Sequence, residues 1–275
     1  MLMSTFYFAL MNILIKKLSH LPAMEIVFFR CFVSMIICFG IIFRSKISWI
    51  GSNRKLLLAR GFFGTLALFT YFLTIKALPL GTAVTIQYIS PIFSTIIGIY
   101  LLKEKVMPIQ WVFFITSFVG VLIIKGFNLD IPTFILILGL ISALCSGFAY
   151  NFVRSMKEKE NPIVVVLHFQ LFGTISGLIA AVFLWEMPIG IEWLYLLGIG
   201  ILTQLGQINL TLALQEEKLA DVSILNYLGV LYALVFGMVL FGEIYDRWTL
   251  LGIVFIIGGV LLNYFYKKSL KLVSS

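Results

Sequence analysis

Residues 80–104 read LGTAVTIQYISPIFSTIIGIYLLKE, and residues 219–243, 139 positions later, read LADVSILNYLGVLYALVFGMVLFGE. Each is an apolar run of the length that a bilayer-spanning helix needs, about 20 residues. At this one offset Leu80, Tyr88, Gly98, Leu101 and Glu104 fall on Leu219, Tyr227, Gly237, Leu240 and Glu243. The register continues without a gap, so that Gly120, Val121 and Leu122 fall on Gly259, Val260 and Leu261. Leu and Val identities arise easily between apolar helices; Tyr, Gly and Glu identities at a fixed offset do not. Asn12 falls on Asn151, and Gln87 falls on Asn226, an amide on an amide. The chain reads as two copies of one unit.

The rest of the sequence has the same apolar character. Of 275 residues 61% are hydrophobic and only 12% are charged, and the mean hydropathy is +1.08. A soluble domain carries about 25% charged residues, so a soluble enzyme, a disulfide scaffold and a disordered chain are all excluded. Ten apolar spans are expected, at about 2–18, 24–43, 59–77, 82–102, 107–125, 133–156, 163–185, 191–214, 220–241 and 248–266. At about 20 residues each they use most of the chain and leave no room for a folded soluble domain. The fold class is therefore an all-α membrane protein, with one five-helix repeat in residues 1–130 and a second in 131–275. Five is odd, so the second copy enters the membrane from the opposite face. Such inverted repeats are common among secondary transporters, which place the solute near the midplane.

The charge fits this frame. Lys plus Arg is 20 and Asp plus Glu is 12, a net charge of +8. Cytoplasmic loops of membrane proteins accumulate Lys and Arg, so the excess needs no nucleic-acid partner, and no basic stripe sits on a soluble surface. With the N-terminus inside, 14 cations fall on the cytoplasmic side, Arg60 among them, and 5 on the other, while Arg30 lies within a span. Both termini are thus expected in the cytoplasm, most simply at the inner membrane of a cell. Cys31, Cys38 and Cys145 all lie in apolar runs without a CxxC spacing and read as small buried hydrophobes. Residues 1–18 end in Lys16-Lys17, whereas a signal peptide begins with its charge, so they are taken as the first span.

Several stretches resemble the EamA family of the drug/metabolite transporter superfamily. They are Arg60-Gly61-Phe62-Phe63-Gly64, Leu78-Pro79-Leu80-Gly81-Thr82-Ala83, Tyr88-Ile89-Ser90-Pro91-Ile92-Phe93, Leu101-Leu102-Lys103-Glu104-Lys105 and Gly120-Val121. In the second half they are Leu219-Ala220-Asp221-Val222-Ser223, Gly242-Glu243 and Gly258-Gly259-Val260. The resemblance implies ten helices with both ends cytoplasmic and a central cavity between the first, third, fourth, sixth, eighth and ninth spans. It implies export or carriage of metabolites without naming a solute. The segment from Arg60 to Lys105 also resembles the S-adenosylmethionine-carrier branch. The second half departs from the pattern, having Gly229-Val230 where the first has Ser90-Pro91.

Polar side chains in a span are costly unless they face the bundle interior or water, and they supply the candidate solute-binding residues. In the fourth span Ala83, Gln87, Ser90, Pro91, Ser94 and Gly98 recur at three- and four-residue steps. Pro91 lacks an N–H, which frees the Gln87 carbonyl and permits a bend, so Pro91 is a candidate hinge. Close packing of small residues explains the same stripe. In the eighth span Gln204, Gln207 and Thr211 share a face, and in the ninth Asn226 and Tyr227 align with Gln87 and Tyr88, with Gly229 as a second hinge. Asn12 and Asn151 align in the first and sixth spans, Tyr150 adjoins Asn151, and Tyr71 stands in the third. Arg30, about six residues into the second span, would hold a substrate carboxylate, snorkel, or pair with Glu25. His168 is the coupling candidate, against the simpler role of a satisfied interior histidine.

No carboxylate lies near the middle of a span, which favours exchange or downhill movement over ion coupling. Glu104 and Glu243, closing the fourth and ninth spans at opposite faces, read as gate or packing anchors. HExxH, GxSxG, P-loop and GxGxxG patterns are absent, so no catalytic site, metal or cofactor is expected. The expected function is secondary transport of a small polar metabolite, an amino acid or related solute, through the lipid bilayer. The alternatives are an S-adenosylmethionine or nucleoside-type carrier and a non-transporting membrane scaffold. The oligomeric state is left open.

Overall fold

A computed structural model describes residues 2–103, 107–127, 132–215 and 228–273. Among these the chain is helical and carries no strand. The segments are α1 (Leu2–Lys17), α2 (Ala23–Arg44), α3 (Arg54–Ala77), α4 (Leu80–Gln87), α5 (Ser90–Leu101), α6 (Pro108–Phe127), α7 (Thr133–Ser155), α8 (Pro162–Leu184), α9 (Glu192–Gln215), α10 (Leu228–Phe241) and α11 (Arg247–Val273). Counting α4 and α5 as one interrupted pass gives ten helices, in the expected order. Among the described residues six passes are long and apolar enough to cross a membrane: α2, α3, α4–α5, α7, α8 and α9. Exposed side chains such as Leu122, Val182, Phe183 and Val239 cover the outside of the bundle. Trp49, Trp111, Trp185, Trp193 and Trp248 all stand at or near helix ends, where an interfacial aromatic belt requires them.

Two boundaries differ from expectation, each for a local reason. Asn53 accepts a hydrogen bond from the Leu56 amide at 3.3 Å and caps α3. The helix therefore starts at Arg54, not near residue 59. Arg60 is thereby drawn two turns into the bundle and is only 4% exposed, so it is not the loop cation counted on the cytoplasmic side. The excess of basic residues on that side survives without it. The fourth span, expected as one helix, breaks at Tyr88 and Ile89. The Ile89 amide bonds back three residues to the Ile86 carbonyl, and α5 restarts with Pro91 in its first turn, where a missing N–H costs nothing.

The packing has a pattern. The principal helix pairs are α2 with α8, α6 with α11, α4 with α10, α3 with α7, α1 with α9, α3 with α8, α2 with α9, α5 with α7 and α1 with α10. A shift of 139 residues carries α1, α2, α3, α4–α5 and α6 onto α7, α8, α9, the α10 region and α11. Under it the first three pairs map onto themselves, and the other six exchange among one another. The contacts repeat this in detail. A Cβ on Gly120 would lie 2.6 Å from the Gly252 carbonyl and 2.7 Å from Ile256, while one on Gly259 would strike Phe113 and Ser117, the image residues. The Ser117 hydroxyl donates to the carbonyl of Ile256, its own image, at 3.1 Å.

The two ends of the bundle are closed differently. At one end Lys16, closing α1, donates to the carbonyls of Ile75 and Leu78 and lies 3.5 Å from the Glu243 carboxylate. Glu243 accepts from the Leu80 amide at 2.9 and 2.7 Å, so it caps α4, and from the Tyr245 hydroxyl at 2.6 Å. Gly242, at φ +62°, makes the turn that ends α10 and brings Glu243 back over the bundle. Burial, and the bond donated to Glu243, raise the Tyr245 pKa and keep its hydroxyl a donor. At the other end the Glu160 carboxylate, just beyond α7, accepts from the amides of Ser52 and Asn53 ahead of α3. Thus α1 ends where α3 ends, and α7 ends where α3 begins. The image helices α1 and α7 run in opposite directions.

Candidate solute-binding site

Among α1, α2, α3, α7, α8 and α9 lies a group of buried polar side chains drawn from both halves. Asn12 donates to the Tyr71 hydroxyl at 3.0 Å, tying α1 to α3, and its own Oδ1 is buried without a partner. Tyr150 on α7 is within electrostatic reach of both Tyr71 and Arg60. Arg60 donates to Gln207 Oε1 on α9 at 3.4 Å, while its Nε and Nη1 have no acceptor. Gln204, one turn along α9, accepts from the Ser34 hydroxyl at 2.6 Å and the Cys38 thiol at 3.2 Å, and its Nε2 is unpartnered. Arg30 on α2 completes the group. Its guanidinium lies between Phe72 and Phe169, and Arg60 lies on the same Phe169 ring. Six expected residues, Asn12, Arg30, Tyr71, Tyr150, Gln204 and Gln207, are therefore brought together with Arg60.

Gln87 and Asn151 occupy a neighbouring joint, where each is bonded to another helix. The Gln87 amide donates to Ser146 at 2.8 Å and accepts from Ser142 at 2.7 Å, both on α7. Asn151 donates to the Ser94 carbonyl at 2.8 Å and to the Ser94 hydroxyl at 3.0 Å on α5. Ser142 also bonds to the Ala67 carbonyl on α3 at 2.7 Å, which links the joint to the first group. Tyr88 points its hydroxyl at Gly229 on α10, where the absence of a Cβ leaves room for it. Pro91 stands just past the break between α4 and α5. Asn226 and Tyr227 lie outside the described residues, as does Glu104.

Two expectations are placed elsewhere. His168 is half-buried on α8, with Nδ1 2.9 Å from the Val164 carbonyl, and lines a shallow pocket with Trp49, Ile50, Arg54 and Leu58, away from the polar group. Arg30 is not paired with Glu25, which instead accepts from the Glu186 amide at 3.0 Å. Sequence reasoning did not single out Arg60, Phe169, Ser142 or Ser146. A signal for Arg60 existed in Gly64, one turn along α3. A Cβ there would collide with the guanidinium, so glycine at that position marks a side chain folded back along the helix.

Comparison with known proteins agrees with this architecture. A family model described as the EamA-like transporter family matches residues 1–126 and again residues 133–265. The pseudopaline exporter CntI of Pseudomonas aeruginosa is 28% identical over 93% of this chain and 91% of its own length. Human solute carrier family 35 member G1 is 25% identical over 98% of this chain and 79% of its own. An S-adenosylmethionine uptake transporter of Rickettsia felis is 25% identical over 91% and 85%. A solved crystal structure superposes with a TM-score of 0.69 at 15% identity, over 97% of this chain and 98% of that one, a likeness of fold.

Proposed function

This chain belongs to the EamA-like transporter family, and from that premise we propose that it is a secondary transporter moving a small polar metabolite by alternating access. The family is one of transporters, not enzymes, and the molecule is a multi-pass membrane protein acting on a small-molecule substrate. Our finer reading is of two inverted five-helix repeats, residues 1–130 and 131–275, with both termini in the cytoplasm. It draws support from the exchange of helix pairs under the 139-residue offset and from the opposed directions of α1 and α7. In this orientation the Lys16–Glu243–Tyr245 cluster closes the outer end.

The observation that carries the proposal is the interior polar group, built by both halves and left with unpartnered Nε, Nη and amide atoms in the middle of an apolar bundle. Groups of that kind are expensive in lipid and are retained along substrate pathways. We assign solute contact to Asn12, Arg30, Tyr71, Tyr150, Gln204 and Gln207. Gln87, Tyr88, Asn151, Asn226 and Tyr227 orient the solute from the joint as their interhelical bonds exchange, with Pro91 and Gly229 as hinges. Movement is by exchange or down a gradient, and His168 is the residue whose participation would contradict that.

The test is a thermal-shift screen of the purified protein against amino acids, nucleosides and S-adenosylmethionine, followed by counterflow in liposomes. Gln87→Ala and Asn226→Ala are expected to weaken a confirmed ligand about tenfold, the loss of one good hydrogen bond to the solute. Unchanged binding in both variants removes them from the site. Accumulation driven by a pH gradient and abolished by His168→Ala overturns the exchange mode. A second reading, a nucleoside-type carrier, is favoured by the Rickettsia felis relative and is decided by competition with adenosine. A protein that binds and moves nothing is a scaffold.

A further inference from the structure

Arg30 is 1% exposed and Arg60 is 4% exposed, both in the interior of the bundle. A guanidinium stays charged in proteins, so these are two permanent positive charges away from water. Among the described residues neither has a carboxylate partner. Arg60 has one long bond to Gln207, Arg30 has one weak contact to the Cys31 sulfur at 3.8 Å, and three of their nitrogens have no acceptor at all. The two guanidinium carbons lie 4.2 and 5.5 Å from the centre of the same Phe169 ring, so like charges are gathered where they repel. Contact with an aromatic face recovers only part of the cost of taking an ion from water.

The surroundings keep this arrangement in place. Gly64 leaves the space into which Arg60 folds, and Phe169 would also crowd a Cβ there. Phe72 and Phe169 both lie against the Arg30 guanidinium, their ring centres 5.8 and 5.5 Å from its carbon. Two guanidinium groups gathered on one phenylalanine ring, with N–H groups left unpartnered, make a receptor for planar or tetrahedral oxygens. We propose that the solute is an organic oxyanion, its carboxylate or phosphate group held jointly by Arg30 and Arg60. The proposal rests on the transport reading and narrows it to a substrate class: acidic metabolites bind, and solutes without an oxyanion do not.

The experiment uses the purified protein and four probe sets: dicarboxylates such as succinate and glutamate; phosphate monoesters such as glycerol 3-phosphate; leucinamide; and adenosine. One of the first two sets is expected to raise the melting temperature, and which one distinguishes carboxylate from phosphate. Arg30→Gln and Arg60→Gln are each expected to weaken that binding at least tenfold, and the pair to abolish it. Without solute, each variant is expected to melt no lower than the wild type, because a neutral amide removes an uncompensated charge. Variants that melt lower and bind the same anion unchanged make the arginines structural posts and overturn the proposal. So does a solute set led by leucinamide or adenosine, or no binding from any set. Should neither variant fold, protection of the wild type against phenylglyoxal by the bound anion decides, and absence of protection overturns it. Counterflow of an oxyanion-free solute that ignores both arginines leaves transport standing and removes only the anion. Vesicles that exchange no labelled solute at all remove the transport reading itself.

Discussion

At the scale of single residues the interior is organised by what neighbouring atoms leave free. Gly64 is an example. Its missing Cβ seats the Arg60 guanidinium against Phe169. Gly64→Ala should raise intrinsic helix stability by up to about 1 kcal/mol while pushing the guanidinium off its seat. We therefore expect a melting temperature close to that of the wild type with solute affinity reduced about tenfold, read by thermal shift and by binding on the same sample. Equal losses in both would mean that the glycine serves packing alone. The residue scale is also where sequence reading was least complete. Amide and tyrosine candidates were legible because a polar side chain within an apolar run has few reasons to be there. Arg60 was not, because it follows Arg54 and Lys55 closely enough to be counted with them in the connection, and only the Asn53 cap decides that it lies inside the helix and not ahead of it. Phe169 was invisible for the opposite reason: one phenylalanine among 26 carries no mark of the two cations it supports.

At the scale of elements the fourth pass and its capping cluster are the part that our proposal has move. The break between α4 and α5 follows from Pro91, and the bend was legible in the sequence, though its place was not. The ladder fails at Tyr88 and Ile89, ahead of the proline, because the acceptors of the turn preceding Pro91 are the ones that lose a donor. Pro91→Ala restores that donor. It should leave thermal stability equal or higher and slow exchange several-fold, measured as counterflow per folded protein. The other end of α4 is held by Glu243, whose carboxylate collects the Leu80 amide, the Tyr245 hydroxyl and the Lys16 ammonium. Charge-assisted bonds of this kind are worth about 1.5–3 kcal/mol each. Glu243→Gln keeps one acceptor and loses the ion pair, so the outer end should open more often. With Cys31, Cys38 and Cys145 replaced by serine and Ala83→Cys added, a membrane-impermeant maleimide should react about tenfold faster in the Glu243→Gln protein, the rate ratio expected of a loss near 1.4 kcal/mol. An unchanged rate would mean that Glu243 only packs.

At the scale of the whole molecule, framework and site obey different symmetries. Helix pairs exchange under the 139-residue offset, and the crossing of α6 with α11 repeats its glycine contacts on both sides. The polar interior does not repeat: Asn12 bonds to a tyrosine on α3, while its image Asn151 bonds to Ser94 on α5. Offset identities could reveal the first because packing between close helices fixes glycine at image positions; they could not reveal the second, because image asparagines find different partners, Tyr71 for Asn12 and Ser94 for Asn151, as the asymmetric solute we propose would require. The distinction can be measured. At Gly120 and Gly259 an added methyl meets backbone that cannot step aside, so alanine at either should cost about 1–3 kcal/mol, the usual penalty of overpacking. Because each glycine meets the image of what the other meets, the two losses should agree within about 0.5 kcal/mol in matched denaturation of the solute-free protein. Asn12→Ala and Asn151→Ala, equally matched in sequence, should not agree: the first loses solute affinity with little stability, the second loses the tie between α5 and α7. Unequal glycine costs alongside equal asparagine effects would reverse the assignment, placing the symmetry in the site and the asymmetry in its frame.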